Sequence, residues 1–185
     1  YGNVVDIGSS REILDIIGEE TLKNIVSDYI DIFDTSAVVY DKNGGYVLGV
    51  FSSGWCRLLD QASRNLCHTA DNKKAVKSDR WLCHESRWNK ASKISIEKGH
   101  EVDGECSGGI RIYAVPIQAG EEIVGSINFG YGDPPKDKNK LKEIAERYEV
   151  PIEDLIKQAE LYESKSHEMI EFAKKSLKTS AQLIG

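Results

Sequence analysis

The stretch Asp41-Lys42-Asn43-Gly44-Gly45 constrains the fold more than any other, because it separates two short β-rich runs. Ala37-Val38-Val39-Tyr40 precedes it and Tyr46-Val47-Leu48-Gly49-Val50-Phe51 follows. Asn-Gly between such runs is the strongest short-range hairpin signal, since both turn residues tolerate positive φ. An antiparallel pair is therefore expected here. A second pair is expected from Ile110–Ile117 and Ile123–Gly130, joined by Ala119-Gly120-Glu121-Glu122. Pro116 places an edge or a bulge near the end of the first of these strands.

Helical patterning fills the rest. Ser9 or Ser10 is placed to cap a short helix that runs through Ile17 and breaks at Gly18. Leu22, Ile25, Tyr29, Ile32 and Phe33 recur at helical spacing, which predicts an amphipathic helix over Glu19 to Phe33. The segment from Trp55 to about Gly99 reads as mostly helical, with one helix from Glu85 to Lys98 closed by Gly99. After Asp133-Pro134-Pro135 come charged helices at Lys138–Tyr148, Ile152–Tyr162 and Ser164–Ile184. The order helix, hairpin, helical excursion, strand pair, helices predicts an α+β fold: an antiparallel sheet with helices on one face and a C-terminal helical extension. Residues 1–135 form one expected unit, with 1–18 leading and 19–135 the core. Residues 136–185 form the extension and a signalling or dimer helix.

Most of the specialised chemistry lies between Trp55 and Pro116, which holds all 4 cysteines and all 3 tryptophans. Cys is also a common core residue, so any single thiol has an ordinary packing role available. As a cluster the residues suggest a pocket between the sheet and the Trp55–Gly99 excursion. Trp55, Cys56, Cys67, Trp81, Cys83, Cys106, Tyr113 and Asn128 are the candidate ligand-binding residues, aromatic walls with a few polar contacts. The alternative is a metal or haem site for redox or gas sensing, drawing zinc or haem ligands from Cys56, Cys67, Cys83, His84 and Cys106. No two cysteines have CxxC spacing. A cysteine-dependent enzyme ranks last. Cys67-His68 and Cys83-His84 are adjacent in sequence, which points their side chains apart, and no nucleophile elbow, P-loop, dinucleotide fingerprint or HExxH motif is present.

A net charge of -6 argues against a nucleic-acid surface, and no apolar run is long enough to span a membrane. The chain opens on Tyr1 and shows no export signal. It is therefore expected to be a segment of a longer cytoplasmic protein with reduced thiols. Ile170, Ala173, Leu177, Ser180 and Ile184 follow heptad spacing, so the last helix suits either packing on its own domain or a homodimer seam leading to another domain.

Trp55-Cys56-Arg57-Leu58-Leu59, Cys67, Cys106-Ser107-Gly108-Gly109-Ile110, Tyr113-Ala114-Val115-Pro116-Ile117 and Val124-Gly125 together resemble the PocR-type sensory domain. The resemblance covers roughly Leu22 to Gly132. It implies a PAS- or GAF-like ligand-sensing module of the kind found at the front of histidine kinases and transcription regulators. It also implies a non-enzymatic role and a small organic effector, such as a short diol or hydrocarbon derivative. A histidine kinase is the expected parent protein.

Overall fold

The computed structural model describes residues 3–5 and 12–184. Six strands form one antiparallel sheet in the order β1-β3-β2-β6-β5-β4. They are β1 (Asn3–Val5), β2 (Ser36–Asp41), β3 (Tyr46–Phe51), β4 (Val102–Glu105), β5 (Arg111–Ala119) and β6 (Glu122–Tyr131). The helices are α1 (Glu12–Ile17), α2 (Glu19–Phe33), α3 (Gly54–Asn65), α4 (Asn72–Val76), α5 (Leu82–Arg87), α6 (Lys93–Lys98), α7 (Lys138–Tyr148), α8 (Ile152–Leu161) and α9 (His167–Ile184). A π-helical turn, Trp88–Ser92, joins α5 to α6. The expected α+β class with an antiparallel sheet is what the chain adopts. The expected cap at Ser9 or Ser10 lies outside the described residues.

The β2–β3 hairpin forms where expected, but its turn is built differently. Asp41 Oδ1 accepts hydrogen bonds from the backbone N–H groups of Asn43 and Gly45, each at 2.8 Å. Of the Asn-Gly pair only Gly44 has positive φ, at 84°. The Asp41 carboxylate organises the turn from its first residue, so a two-residue turn is not needed. Gly44 is required for a second reason. A Cβ there would stand 2.9 Å from the Trp88 indole, which packs over the turn.

Helices cover both faces of the sheet, not one. Alternation along β2 sends Ala37 and Val39 into one apolar cluster, with Leu22 and Val26 of α2 and with Ala173, Leu177, Ala181 and Ile184 of α9. Val38 and Tyr40 enter the opposite cluster, with Trp55 and Leu59 of α3, Trp81, Ile144 of α7 and Leu155 of α8. The reason is legible in the strand: all six residues of β2 are buried, as a strand covered on both sides must be. Ala173, Leu177, Ala181 and Ile184, with Ile170 at the margin, form the stripe that seats α9 on β5 and β6; Ser180, expected in the heptad set, is only half-buried and Ala181 takes its place. Lys174 adds an ion pair to Asp103 at 3.2 Å, tying α9 to the β4 edge.

The Glu85–Lys98 helix of the sequence reading is interrupted by the π turn, and β1 and β4 were not anticipated. Only Val102 and Gly104 of β4 are even half-buried, so the strand carries no apolar run to read. Gly99 does close α6, in the left-handed region at φ 69°.

Close packing between β2 and β6 is demanding at Gly125, where a Cβ would lie 2.2 Å from the Tyr40 carbonyl oxygen and 2.7 Å from Ile13 Cδ1. Because backbone is the obstacle, Gly125→Ala is expected to cost about 3 kcal/mol. Urea unfolding reads this directly, and an unchanged midpoint would contradict the strand spacing described.

Candidate functional site: a thiol-lined cavity against the sheet

Three segments enclose a cavity of about 20 Å³ beside β2 and β3, room for about one water molecule. From α3 come Trp55, Cys56 and Leu59, from α5 Cys83 and Arg87, and from the 106–110 turn Cys106, Gly108 and Ile110; Ser36 and Phe51 close the sheet side. Each wall has a local cause. Ser53 caps α3, its Oγ accepting from Cys56 N at 3.1 Å, which orients the first turn. Trp55 Nε1 donates to Gly108 O at 3.1 Å, tying α3 to the 106–110 turn. That turn is closed by Cys106 N to Ile110 O at 2.8 Å, with Gly109 at φ 78°.

Arg87 is the one formal charge in this wall, and it is 3% exposed. Nη1 donates to Asn128 Oδ1 at 2.7 Å, and Nη2 donates to Ser36 Oγ. Asn128 Nδ2 in turn donates to Ser92 Oγ at 3.0 Å. Arg87 and Ser92 are five residues apart, a spacing that a π turn aligns and an α-helix does not. The π turn therefore lets both reach Asn128 on β6.

Burial holds the Cys83 thiol well above its usual pKa and raises that of Cys106 as well. Thiols held neutral are poor nucleophiles and poor metal ligands. Cys83 Sγ and Tyr148 OH are 3.7 Å apart, and Ser36 Oγ donates to Cys56 Sγ at 3.4 Å. All four cysteines are free.

Of the residues expected to share a pocket, Trp55, Cys56, Cys83 and Cys106 meet at the cavity. Asn128 stands behind it, holding Arg87. Trp81 is a layer away: its Nε1 donates to Asp60 Oδ1 at 2.7 Å, and its ring stacks on Tyr46 at 5.5 Å between centroids. Cys67 lies past the end of α3 and donates to Ser63 O at 3.4 Å. Tyr113 is on the opposite face of the sheet, 6.3 Å from the Phe129 ring and beneath Lys174. Alternation along β5 puts Ile112 and Ala114 on the cavity side and Tyr113 away from it.

The alternative metal set is not assembled. Among the described residues no three His, Cys, Asp or Glu side chains converge as a metal site. His84 is buried in an aromatic group with Tyr40, Tyr46 and Trp81, and burial pulls its pKa down to about 4. The cavity that Cys56, Cys83 and Cys106 share is also far below haem size.

Ser36, Phe51, Leu59, Gly108, Ile110 and above all Arg87 were not foreseen. Arg87 did carry a signal, since it lies one helical turn after Cys83 and so shares its face.

Thiols, one indole and one guanidinium thus line a small cavity against the sheet of an α+β domain. The chain belongs to the PocR sensory-domain family: it matches the family described as "Sensory domain found in PocR" over residues 15–185. The match runs well beyond Gly132 and takes in α7, α8 and α9. No curated protein and no solved structure matches the chain. Among the described residues no helix is long and apolar enough to cross a membrane.

Proposed function

We propose that this sensory domain is the input module of a histidine kinase and that it binds a short organic effector in the cavity between Trp55, Cys56, Cys83, Arg87 and Cys106. The observation that carries the reading is the cavity itself: polar groups converge on a space in an otherwise close-packed core. With room for about one water in the closed form, an effector of even a few heavy atoms must part α3 from the 106–110 turn. The signal then has a short route. Val38 and Asn128 are register partners on the cavity side of β2 and β6, and Ala37 and Phe129 are partners on the α9 side. A ligand that shifts these two strands moves the floor on which α9 rests. A homodimer through α9 has only the outward face of that helix to use, where Phe172 and Leu183 are exposed.

A panel of short diols, alcohols and acids tests this by thermal shift. At a hundredfold excess over Kd a true effector is expected to raise Tm by about 5–10 °C. Cys83→Leu, which fills the cavity, is expected to remain folded and to lose that shift. An effector that stabilises Cys83→Leu as well as the parent chain binds elsewhere.

A further inference from the structure

One charge faces the cavity without an ion-pair partner among the described residues. Arg87 is buried, and its guanidinium carries a formal positive charge. Its partners are both neutral, the Asn128 amide oxygen and the Ser36 hydroxyl, and the Phe51 ring lies 5.7 Å from its Cζ. Among the described residues no carboxylate forms an ion pair with it. The buried carboxylate of Asp60 accepts from the Trp81 indole and acts on Arg87 only through space, without an ion pair. The neighbouring thiols do not supply the missing charge either, since burial keeps Cys83 and Cys106 protonated. A buried charge without an ion pair in contact is among the costlier arrangements a core can hold.

A second polar group stands at the same glycine. Thr35 Oγ1 is buried and has no hydrogen-bond partner among the described residues. It and Arg87 Nη2 lie 2.8 and 3.1 Å from the point where a Cβ on Gly130 would be. Glycine at 130 keeps that side of the guanidinium clear. Among the described residues two of the five N–H groups of Arg87 are engaged in hydrogen bonds, which leaves three donors for a ligand.

We infer that the effector is a short aliphatic carboxylate. Its carboxylate pairs with Arg87, and its alkyl end lies among Phe51, Trp55, Leu59 and Ile110. The inference rests on the cavity reading above and adds the chemistry of the ligand. Arginine presents planar forked donors that match a carboxylate, and a charge-assisted pair gains strength in a site closed to water. The cavity as it stands holds about one water, so the acid enters only as α3 parts from the 106–110 turn, and each added carbon widens that opening.

The test compares acetate and propionate with their neutral isosteres acetamide and 1-propanol, by calorimetry on the unaltered chain. The acids are expected to bind about ten- to a hundredfold more tightly than the isosteres, the difference a hydrogen-bonded charge makes. Arg87→Met, similar in length and uncharged, is expected to keep or gain stability without ligand and to lose the preference for acids. Chloride and phosphate serve as controls, and binding of these to the same extent would reduce the site to a general anion hole and overturn the inference. If the neutral compounds bind as well as the acids, and Cys83→Leu abolishes that binding, the cavity reading stands and the carboxylate inference falls. If neither acids nor isosteres bind, both fall. The comparison on the unaltered chain decides the matter even where Arg87→Met does not fold.

Discussion

Leu177→Glu is expected to abolish the folded state rather than to release a monomer. Leu177 is 0% exposed and lies in the cluster formed by α2, α9 and one face of the sheet, among Val26, Val115, Ile117 and Ile127. Glutamate there removes the leucine's contacts and places a carboxylate with no cation in the apolar cluster around it. The packing term alone is about 2–5 kcal/mol, as Leu→Ala exchanges show. An unpaired buried carboxylate adds several kcal/mol unless it takes up a proton. Together they match the whole stability of an ordinary domain, about 5–15 kcal/mol. Far-UV circular dichroism should therefore lose its cooperative thermal transition. Leu177→Ala should keep the transition at a lowered midpoint and still bind effector. Leu183→Glu supplies the contrast: Leu183 is 74% exposed, so its change is expected to leave stability within about 0.5 kcal/mol. A folded, monomeric Leu177→Glu chain that still binds effector would mean that α9 does not rest on the sheet.

That helix shows where reading the sequence reached its limit. Ala173, Leu177 and Ile184 were correctly read as one apolar stripe. Heptad spacing describes a stripe against a sheet as well as it describes a seam between two helices, and nothing local separates the two. The bounds of α2 and α7 are readable from periodicity, charge and the breakers before them, Gly18 and Pro134-Pro135, and the hairpin strands from the turn between them. The β4 strand was not readable, since an edge with alternate residues exposed needs no apolar signal. Four of the candidate pocket residues do meet at one cavity, and Tyr113 does not. The phase of β5 relative to the sheet decided that, and the phase is set by pairing with β6. Arg87 was overlooked for a different reason. Arginine is ordinarily a surface residue, and only the π turn and Asn128 on a distant strand make its burial possible.

Asp60→Asn is expected to stabilise the protein above neutrality, by an amount that vanishes in acid. Asp60 is 5% exposed, and burial lifts its pKa from 3.8 to about 6 even though the Trp81 hydrogen bond and Arg64 pull the other way. A carboxyl whose folded pKa is raised opposes folding in its ionised form. The penalty is complete above about pH 6, falls as the folded state takes up its proton, and is gone below about 3.8. A shift of this size corresponds to about 3 kcal/mol. Asparagine copies the neutral form and keeps an oxygen for the Trp81 indole, so the variant should gain up to that amount at pH 7.5 and nothing at pH 4. His84 runs in the opposite sense. Its folded pKa of about 4 lies below the ordinary 6.5, so the stability it contributes is whole above 6.5 and is lost as pH falls towards 4. In the native chain the two trends oppose each other between about pH 4 and 6. Removing Asp60 leaves His84 unopposed, and the variant should therefore show a steeper acid loss of stability than the parent over that window. Urea unfolding at several pH values from 4 to 7.5 measures both effects. A variant no more stable than the parent at pH 7.5 would mean that Asp60 is already compensated by Arg64. A gain that persists at pH 4 would mean that the benefit lies in packing and not in charge.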